Sequence, residues 1–157
     1  MIRIGVFSDT HGDLSLLHAA KAKLGTVDMI FHLGDFASDA KQIGNFFGVP
    51  VEAVSGNCDF RVGIPSERVI AVENARILIM HGDGYRDIYR IALKAEEQRC
   101  DAVLFGHTHV PLLTAQGKLL IVNPGSLSHP RQQSACSCAL LTVDGRDVDV
   151  KMLPLKP

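Results

Sequence analysis

The first half of the chain alternates short apolar runs with segments in which apolar residues recur at helical spacing. Strands are predicted over 2–7, 28–33 and 51–55, and helices over 14–24 and 38–47. Asp13 is expected to cap the first helix, and Gly25 is expected to end it. Strands separated by helices pair in parallel through right-handed crossovers, so this half of the chain predicts parallel strand pairing.

The second half has more strand signals, several of them arranged as hairpins, and a single helical segment. Strands are predicted over 67–72, 76–81, 102–105, 112–114, 118–122, 138–142 and 147–153, and a helix over 87–99. The Asp144-Gly145 pair between the last two strands is a strong hairpin signal. About ten strands would make one sheet curl or split, so we expect two packed sheets with helices outside them.

Length and composition predict a globular chain without a strongly charged partner. The 157 residues correspond to one domain, spanning 1–157, and 46% of them are hydrophobic, which is enough for a core. A formal net charge of −1 argues against stable binding to nucleic acid or to an anionic membrane. No apolar run reaches the roughly 18 residues that a membrane span needs, so a cytoplasmic location is expected.

Polar residues that suit metal binding follow five of the predicted strands directly. In chain order they are Asp9, His11, Asp35, Asn57, His81, His107 and His109. Because sites in open α/β sheets form at the carboxyl ends of the strands, we expect these side chains to converge on one rim. Imidazole and carboxylate ligands suit Mn, Fe, Co, Ni or Zn. Residues that only form turns or cap helices rarely place seven such side chains after five strands. The sequence therefore predicts a transition-metal site.

Other chemistries have weaker signals in this sequence. The remaining histidines, His18, His32 and His129, lie mid-helix, on a strand and in a loop, and structural or loop roles are expected for them. The chain has no Gly-x-Ser-x-Gly elbow, P-loop or Gly-x-Gly-x-x-Gly motif. A nucleophilic Cys58 would need a free histidine nearby. The cysteines form no CxxC pair, so disulfides are not expected.

The order of these motifs resembles the calcineurin-like metallophosphoesterase family. The motifs are Asp-x-His, Gly-Asp, Gly-Asn-x-Asp, His-Gly and Gly-His-x-His, and they extend from Asp9 to the Asn-Pro-Gly-Ser segment that ends at Ser126. That segment, Cys58 and the short chain are similar to the small YfcE-type phosphodiesterase branch. The resemblance implies an α/β fold, a four-layer αββα sandwich of two mixed β-sheets flanked by helices.

The resemblance also implies two divalent metal ions and assigns ligands to each. The first ion would bind Asp9, His11, Asp35 and His109, and the second would bind Asp35, Asn57, His81 and His107. A shared carboxylate holds two ions about 3.5–4 Å apart, and a hydroxide bridging them would attack phosphorus. Asp35 and Asn57 are therefore the expected catalytic residues as well. Manganese is the expected ion, with nickel, iron, cobalt and zinc as alternatives.

One position departs from the pattern of many relatives, which carry histidine after the asparagine. Here that residue is Cys58, and a thiol with a pKa of about 8.5 is a poor proton donor for a leaving group. The departure favours diesters with acidic leaving groups, or supply of the proton by water. Cys58, Arg86 and Arg131 are candidate substrate contacts, because all three lie in or near the motif loops.

The predicted function is metal-dependent hydrolysis of a small phosphodiester, with no nucleic-acid or membrane partner and with a homo-oligomer left open. The alternative is a non-catalytic scaffold for protein interactions, resembling the retromer small subunit. That subunit has the same fold but substituted ligands, whereas all seven ligand positions match here. The matching ligands favour the enzyme.

Overall fold

Ten strands and three helices form the part of the chain that the computed structural model describes, residues 1–60 and 63–156. The strands are β1 (Ile2–Phe7), β2 (Met29–His32), β3 (Val51–Ala53), β4 (Glu67–Val72), β5 (Ala75–Met80), β6 (Ala102–Leu104), β7 (Leu112–Gln116), β8 (Leu119–Asn123), β9 (Cys136–Asp144) and β10 (Asp147–Leu155). The helices are α1 (Leu17–Leu24), α2 (Asp39–Phe47) and α3 (Ile88–Glu97). The predicted kind and order of elements are confirmed.

The strands form two mixed sheets of five strands each. The first sheet has the order β10-β9-β1-β2-β3, in which β1, β2 and β3 are parallel and β9 and β10 are antiparallel. The second has the order β4-β5-β6-β8-β7, with a parallel centre of β5, β6 and β8. The edge strand β4 pairs with β5, and the edge strand β7 pairs with β8, both in antiparallel fashion. The predicted parallel pairing of the first half is confirmed.

The sheets pack face to face, and the helices cover their outer faces. The inner core contains Ile4, Val6 and Phe31 from the first sheet and Ile77, Ile79 and Leu104 from the second, all fully buried. Leu24 of α1 and Ile43 of α2 share a buried cluster with Ile30 of the first sheet. Ile91 of α3 shares another with Val103 of the second sheet. The layers are therefore αββα, as expected.

The start of the first helix differs from the prediction. Helix α1 begins at Leu17, and Asp13 does not cap it, because its carboxylate accepts a hydrogen bond from the backbone N–H of Ser15 at 3.0 Å. This local bond stabilises a turn that competes with helix before α1 begins. Gly25 does end the helix, and its N–H donates to the carbonyl of Lys21.

Two further predictions from composition concern cysteines and membrane spans. All four cysteines lie in the described part of the chain and are free thiols, as expected. Cys138 is fully buried beneath the helices of the first sheet. Among the helices of residues 1–60 and 63–156, none has the length and apolar character needed to cross a membrane.

The loops at one rim of the two sheets are joined by backbone hydrogen bonds. The N–H of Asp9, after β1, donates to the carbonyl of Gly34, after β2, at 3.0 Å. The N–H of Gly106, after β6, donates to the carbonyl of His81, after β5, also at 3.0 Å. Contacts between Gly106 and the Ser8–Asp9 turn bring the two pairs of loops together. One polar rim therefore spans both sheets.

Candidate metal centre

The backbone of this rim turns sharply at the residues that the sequence singled out. Five of the seven predicted ligands have positive φ angles: Asp9 (54°), His11 (48°), Asp35 (56°), His107 (69°) and His109 (61°). A left-handed conformation costs a non-glycine residue about 1–2 kcal/mol and persists only where its surroundings enforce it. Such strain clusters at ligand-binding sites, and here it accompanies the convergence of these side chains.

The first predicted ligand set forms a compact group. One ligand atom from each of Asp9, His11, Asp35 and His109 lies within 4.8 Å of all the others. The Nε2 atom of His11 is 3.3 Å from Nε2 of His109 and 3.5 Å from Oδ2 of Asp35. Two atoms that each bind an ion at about 2.1 Å lie about 3.0–3.4 Å apart at octahedral or tetrahedral angles. These separations suit a shared cation.

Asp9 provides an independent test of whether a cation fits. Its Oδ2 atom accepts hydrogen bonds from the Ser8 hydroxyl and from the His107 N–H. Its Oδ1 atom is buried and has no hydrogen-bond partner among the described residues, although Nε2 of His109 is 3.2 Å away and Nε2 of His81 is 3.8 Å away. A buried carboxylate oxygen without a partner is costly. A metal ion would provide the missing interaction, so the residues present fit one.

The second predicted set converges around His81. Its Nε2 atom is 3.1 Å from Oδ1 of Asn57, 3.3 Å from Nδ1 of His107 and 3.3 Å from Oδ1 of Asp35. Asp35 thus presents Oδ1 to this set and Oδ2 to His11 in the first set. One carboxylate lies between the two groups, which is the position expected of a bridging ligand.

Hydrogen bonds to backbone carbonyls orient two of the histidines. The Nδ1–H of His81 donates to the carbonyl of Leu33 at 2.8 Å, and the Nδ1–H of His109 donates to the carbonyl of His129 at 2.5 Å. A carbonyl can only accept, so each ring keeps its proton on Nδ1 and presents the Nε2 lone pair to the site when it is neutral. Both lone pairs face carboxylate oxygens, an arrangement that a cation stabilises.

The titration behaviour of the site reflects the same crowding of acceptors. Burial would raise the pKa of Asp35, but the hydrogen bonds from His81 and the Cys58 N–H outweigh it and lower that pKa. Burial would lower the pKa of His81, but the two carboxylates outweigh it and raise that pKa. The Asp9 carboxylate raises the pKa of His109. Protons therefore compete with metal at these rings, and metal affinity should fall as the pH falls.

A buried hydrogen-bond network holds the turn that carries Asp9 and His11. The N–H of Gly34 donates to Nδ1 of His32, whose Nε2–H donates to the Thr10 hydroxyl at 3.0 Å. The Thr10 hydroxyl donates to Oδ2 of Asp39 at 2.6 Å, and that oxygen also accepts from the N–H of Gly12. Burial lowers the pKa of His32 to about 4, so the ring is neutral. His32 therefore has the structural role expected for it.

Two residues of the Asn-Pro-Gly-Ser segment support the site through contacts that the sequence did not indicate. Ser126 donates its hydroxyl proton to the carbonyl of Asp9 at 2.8 Å. The side-chain amide of Asn123 donates to the carbonyl of Gly106 at 3.0 Å, next to His107. Both residues fix the loops of candidate ligands through partners that are distant in the sequence. Sequence patterns do not reveal such partners.

The three candidate substrate contacts occupy different positions. Cys58 is exposed, and its N–H donates to Oδ1 of Asp35. Partial desolvation and the Asp35 carboxylate raise the pKa of its thiol, so the thiol is protonated at neutral pH. Arg131 borders a cavity of about 390 Å³ that is lined by His11, His109, His129, Pro130 and Arg131. Arg86 is exposed in the loop between β5 and α3, outside that cavity lining.

Comparisons with known sequences agree with this architecture. The family model of the calcineurin-like phosphoesterase superfamily domain matches residues 2–146. The chain is 31% identical over 157 residues to a probable metallophosphoesterase of Methanothermobacter thermautotrophicus, covering 96% of this chain and 91% of that protein. It is 31% identical over 103 residues to the phosphodiesterase YfcE of Escherichia coli K12, covering 60% of this chain and 53% of that protein.

Solved structures have the same fold. A conserved Streptococcus pneumoniae TIGR4 protein described as a predicted phosphoesterase has a TM-score of 0.78 at 30% identity, covering 99% of this chain and 93% of that one. Vps29 from Entamoeba histolytica, complexed with zinc, has a TM-score of 0.79 at 19% identity, covering 98% and 99% of the two chains. The second likeness concerns the fold alone. From the family match, its extent and the shared architecture, the chain belongs to the calcineurin-like phosphoesterase superfamily.

Proposed function

We propose that this protein is a dinuclear metal-dependent phosphodiesterase that hydrolyses small phosphodiesters. The observation that carries the proposal is the position of Asp35, whose two carboxylate oxygens face different ligand sets, at 3.5 Å from His11 Nε2 and 3.3 Å from His81 Nε2. Membership of the metallophosphoesterase family and the YfcE relative support the reaction class. Manganese as the native ion and a cytoplasmic location are part of this proposal.

The residues fall into two overlapping groups, one for each proposed ion. Asp9, His11, Asp35 and His109 would hold the first, and Asp35, Asn57, His81 and His107 would hold the second. Two divalent ions held in this way supply an activated water and neutralise charge on the phosphoryl oxygens. The nitrogen and oxygen donors suit manganese and also accept nickel, iron, cobalt or zinc.

The side chains of the site determine its charge and the orientation of its ligands. Only two of the seven proposed ligands are carboxylates, so two divalent ions would leave a surplus of positive charge for an anionic diester. Asn57 contributes a ligand oxygen without adding negative charge. Arg131, beside the cavity that His11 and His109 line, is proposed to contact the phosphoryl group or an anionic part of the substrate.

Hydrolysis of an activated diester tests the proposed function. Protein stripped of metal by chelation should not cleave bis-p-nitrophenyl phosphate, and addition of Mn²⁺ should restore turnover. Mn²⁺ should not restore turnover in the Asp9→Asn variant. The Asp9 variant distinguishes this activity from that of a contaminating hydrolase. A protein that binds no Mn²⁺ or Ni²⁺ and cleaves no activated diester would refute the proposal and favour the interaction scaffold.

Cys58 is expected to contribute little to cleavage of aryl diesters. Cys58→Ser should leave kcat/KM on bis-p-nitrophenyl phosphate within about threefold, since the proposed mechanism assigns no nucleophilic step to the sulfur. Cys58→His should raise activity on poorer leaving groups, because imidazole is a competent acid near neutral pH. A loss of two orders of magnitude in Cys58→Ser with intact metal content would show that the thiol is catalytic.

A further inference from the structure

Phe36 directly follows the proposed bridging ligand and has an unusual backbone conformation. Its φ angle is 67°, and that of Asp35 before it is 56°. Positive φ is uncommon for a bulky aromatic residue. The carbonyl of Phe36 accepts a hydrogen bond from the N–H of Asp39 at 2.8 Å, in the first turn of α2. The backbone that directs this ring is therefore held in place by the fold.

The ring of Phe36 lies outside the protein core, beside the metal centre. It is 39% exposed, whereas the nearby Leu33 and Ala37 are 0% and 4% exposed. Its centroid is 5.5 Å from that of the His11 ring, with 52° between the planes. A β-carbon built on Gly12 would lie 3.6 Å from the Phe36 ring, so a larger residue there would contact it. An apolar surface thus stays open next to a proposed ligand.

The two rings that neighbour His11, besides the proposed ligand His109, differ in chemistry. The ring of Phe36 is 5.5 Å from that of His11, and the ring of His129, in the lining of the cavity that Arg131 borders, is 5.4 Å from it. A phosphodiester has two ester substituents. The site therefore offers them unequal surroundings, one apolar and aromatic, the other polar and cationic.

We infer that Phe36 selects phosphodiesters that carry a planar aromatic substituent, which packs against its exposed ring. The inference rests on the proposed function and specifies the substrate class of that site. Aromatic rings attract each other in offset or tilted arrangements beyond the burial of their area. An aryl ester or a heteroaromatic base would gain this contact, whereas a small alkyl ester would not.

Binding of two non-activated diesters to the Mn²⁺-loaded protein tests the inference. Diphenyl phosphate and dimethyl phosphate carry the same charge and differ in their substituents. We expect calorimetry to give a Kd about three- to tenfold lower for diphenyl phosphate. Phe36→Ala and Phe36→Leu should remove this preference by weakening the binding of diphenyl phosphate more than that of dimethyl phosphate. Tyr89→Ala, at an aromatic residue of α3 that is 71% exposed, serves as the matched control and should keep the preference.

Several outcomes would overturn the inference. Equal affinity of the wild-type protein for both diesters would do so. Equal weakening of both ligands in the Phe36 variants would show that the ring only supports His11. A preference that persists in both variants would place the aromatic subsite elsewhere. If no diester is hydrolysed while the Phe36-dependent preference is present, the proposed function fails and the aromatic subsite stands. If diesters are hydrolysed but neither diester is preferred, the proposed function stands and the aromatic subsite fails.

Discussion

Asp35→Asn is expected to slow hydrolysis severely and to weaken the binding of both proposed metal ions together. Asp35 presents one oxygen to His11 and the other to His81, and a neutral amide has a single oxygen to offer. Metal ions contribute several kcal/mol of transition-state stabilisation, so kcat/KM should fall about a thousandfold, which corresponds to about 4 kcal/mol. Metal content by mass spectrometry should fall from two ions per chain, with both ions affected.

The Asp35 variant should still fold, because an asparagine oxygen can keep the hydrogen bond that Oδ1 now accepts from the Cys58 N–H. Asp28→Asn is a matched control, since Asp28 likewise accepts a hydrogen bond from a backbone N–H, that of Arg3, and lies on the amino-terminal side of β2. It should keep both metal ions and near-normal turnover. Full metal content and unimpaired turnover in Asp35→Asn would rule out the bridging role.

Gly106→Ala is expected to impair the metal centre by steric conflict, although it removes no ligand. A β-carbon at Gly106 would overlap the Ser8 hydroxyl and lie 2.6 Å from Oδ2 of Asp9. The turn that carries Asp9 would have to move, and a displacement of about 1 Å can reduce catalysis about a hundredfold. We expect kcat/KM to fall by at least about this factor. Overpacking should also cost about 1–3 kcal/mol of folding free energy, measured by denaturant unfolding.

Gly48→Ala is the control for Gly106→Ala, because it should reduce folding stability without disturbing the metal centre. Gly48 ends α2 with a φ of 70°, and a β-carbon there would meet no atom of the described residues within 4 Å. This variant should lose about 1 kcal/mol of stability from its backbone conformation, while its metal content and turnover stay normal. If Gly106→Ala behaves like Gly48→Ala, the close approach of the two sheets at Gly106 is not needed for the site.

The elements and their order were predictable because the signals for them are local. The runs 4–7 of β1 and 77–80 of β5 are buried on both faces, so their burial appears in the sequence as short hydrophobic stretches. The candidate ligands were predictable for a related reason. They directly follow strands, and the carboxyl ends of parallel strands meet at one edge. The predicted start of α1 was wrong, because the Asp13 carboxylate accepts a hydrogen bond from the Ser15 N–H instead of capping the helix. A sequence pattern cannot rank these two competing local hydrogen bonds.

The sequence by itself determined the two-sheet αββα class and the residues of the rim, since hydrophobic periodicity and strand-end motifs are local properties of the chain. Only the tertiary structure decided how those residues meet. It places Asp9 beside His107 across the sheets, leaves Oδ1 of Asp9 without a partner among the described residues, and turns Phe36 outward beside His11. These features depend on contacts between segments as far as 98 residues apart, as between Asp9 and His107. Such contacts arise only when the two sheets pack, because packing sets the register between their loops.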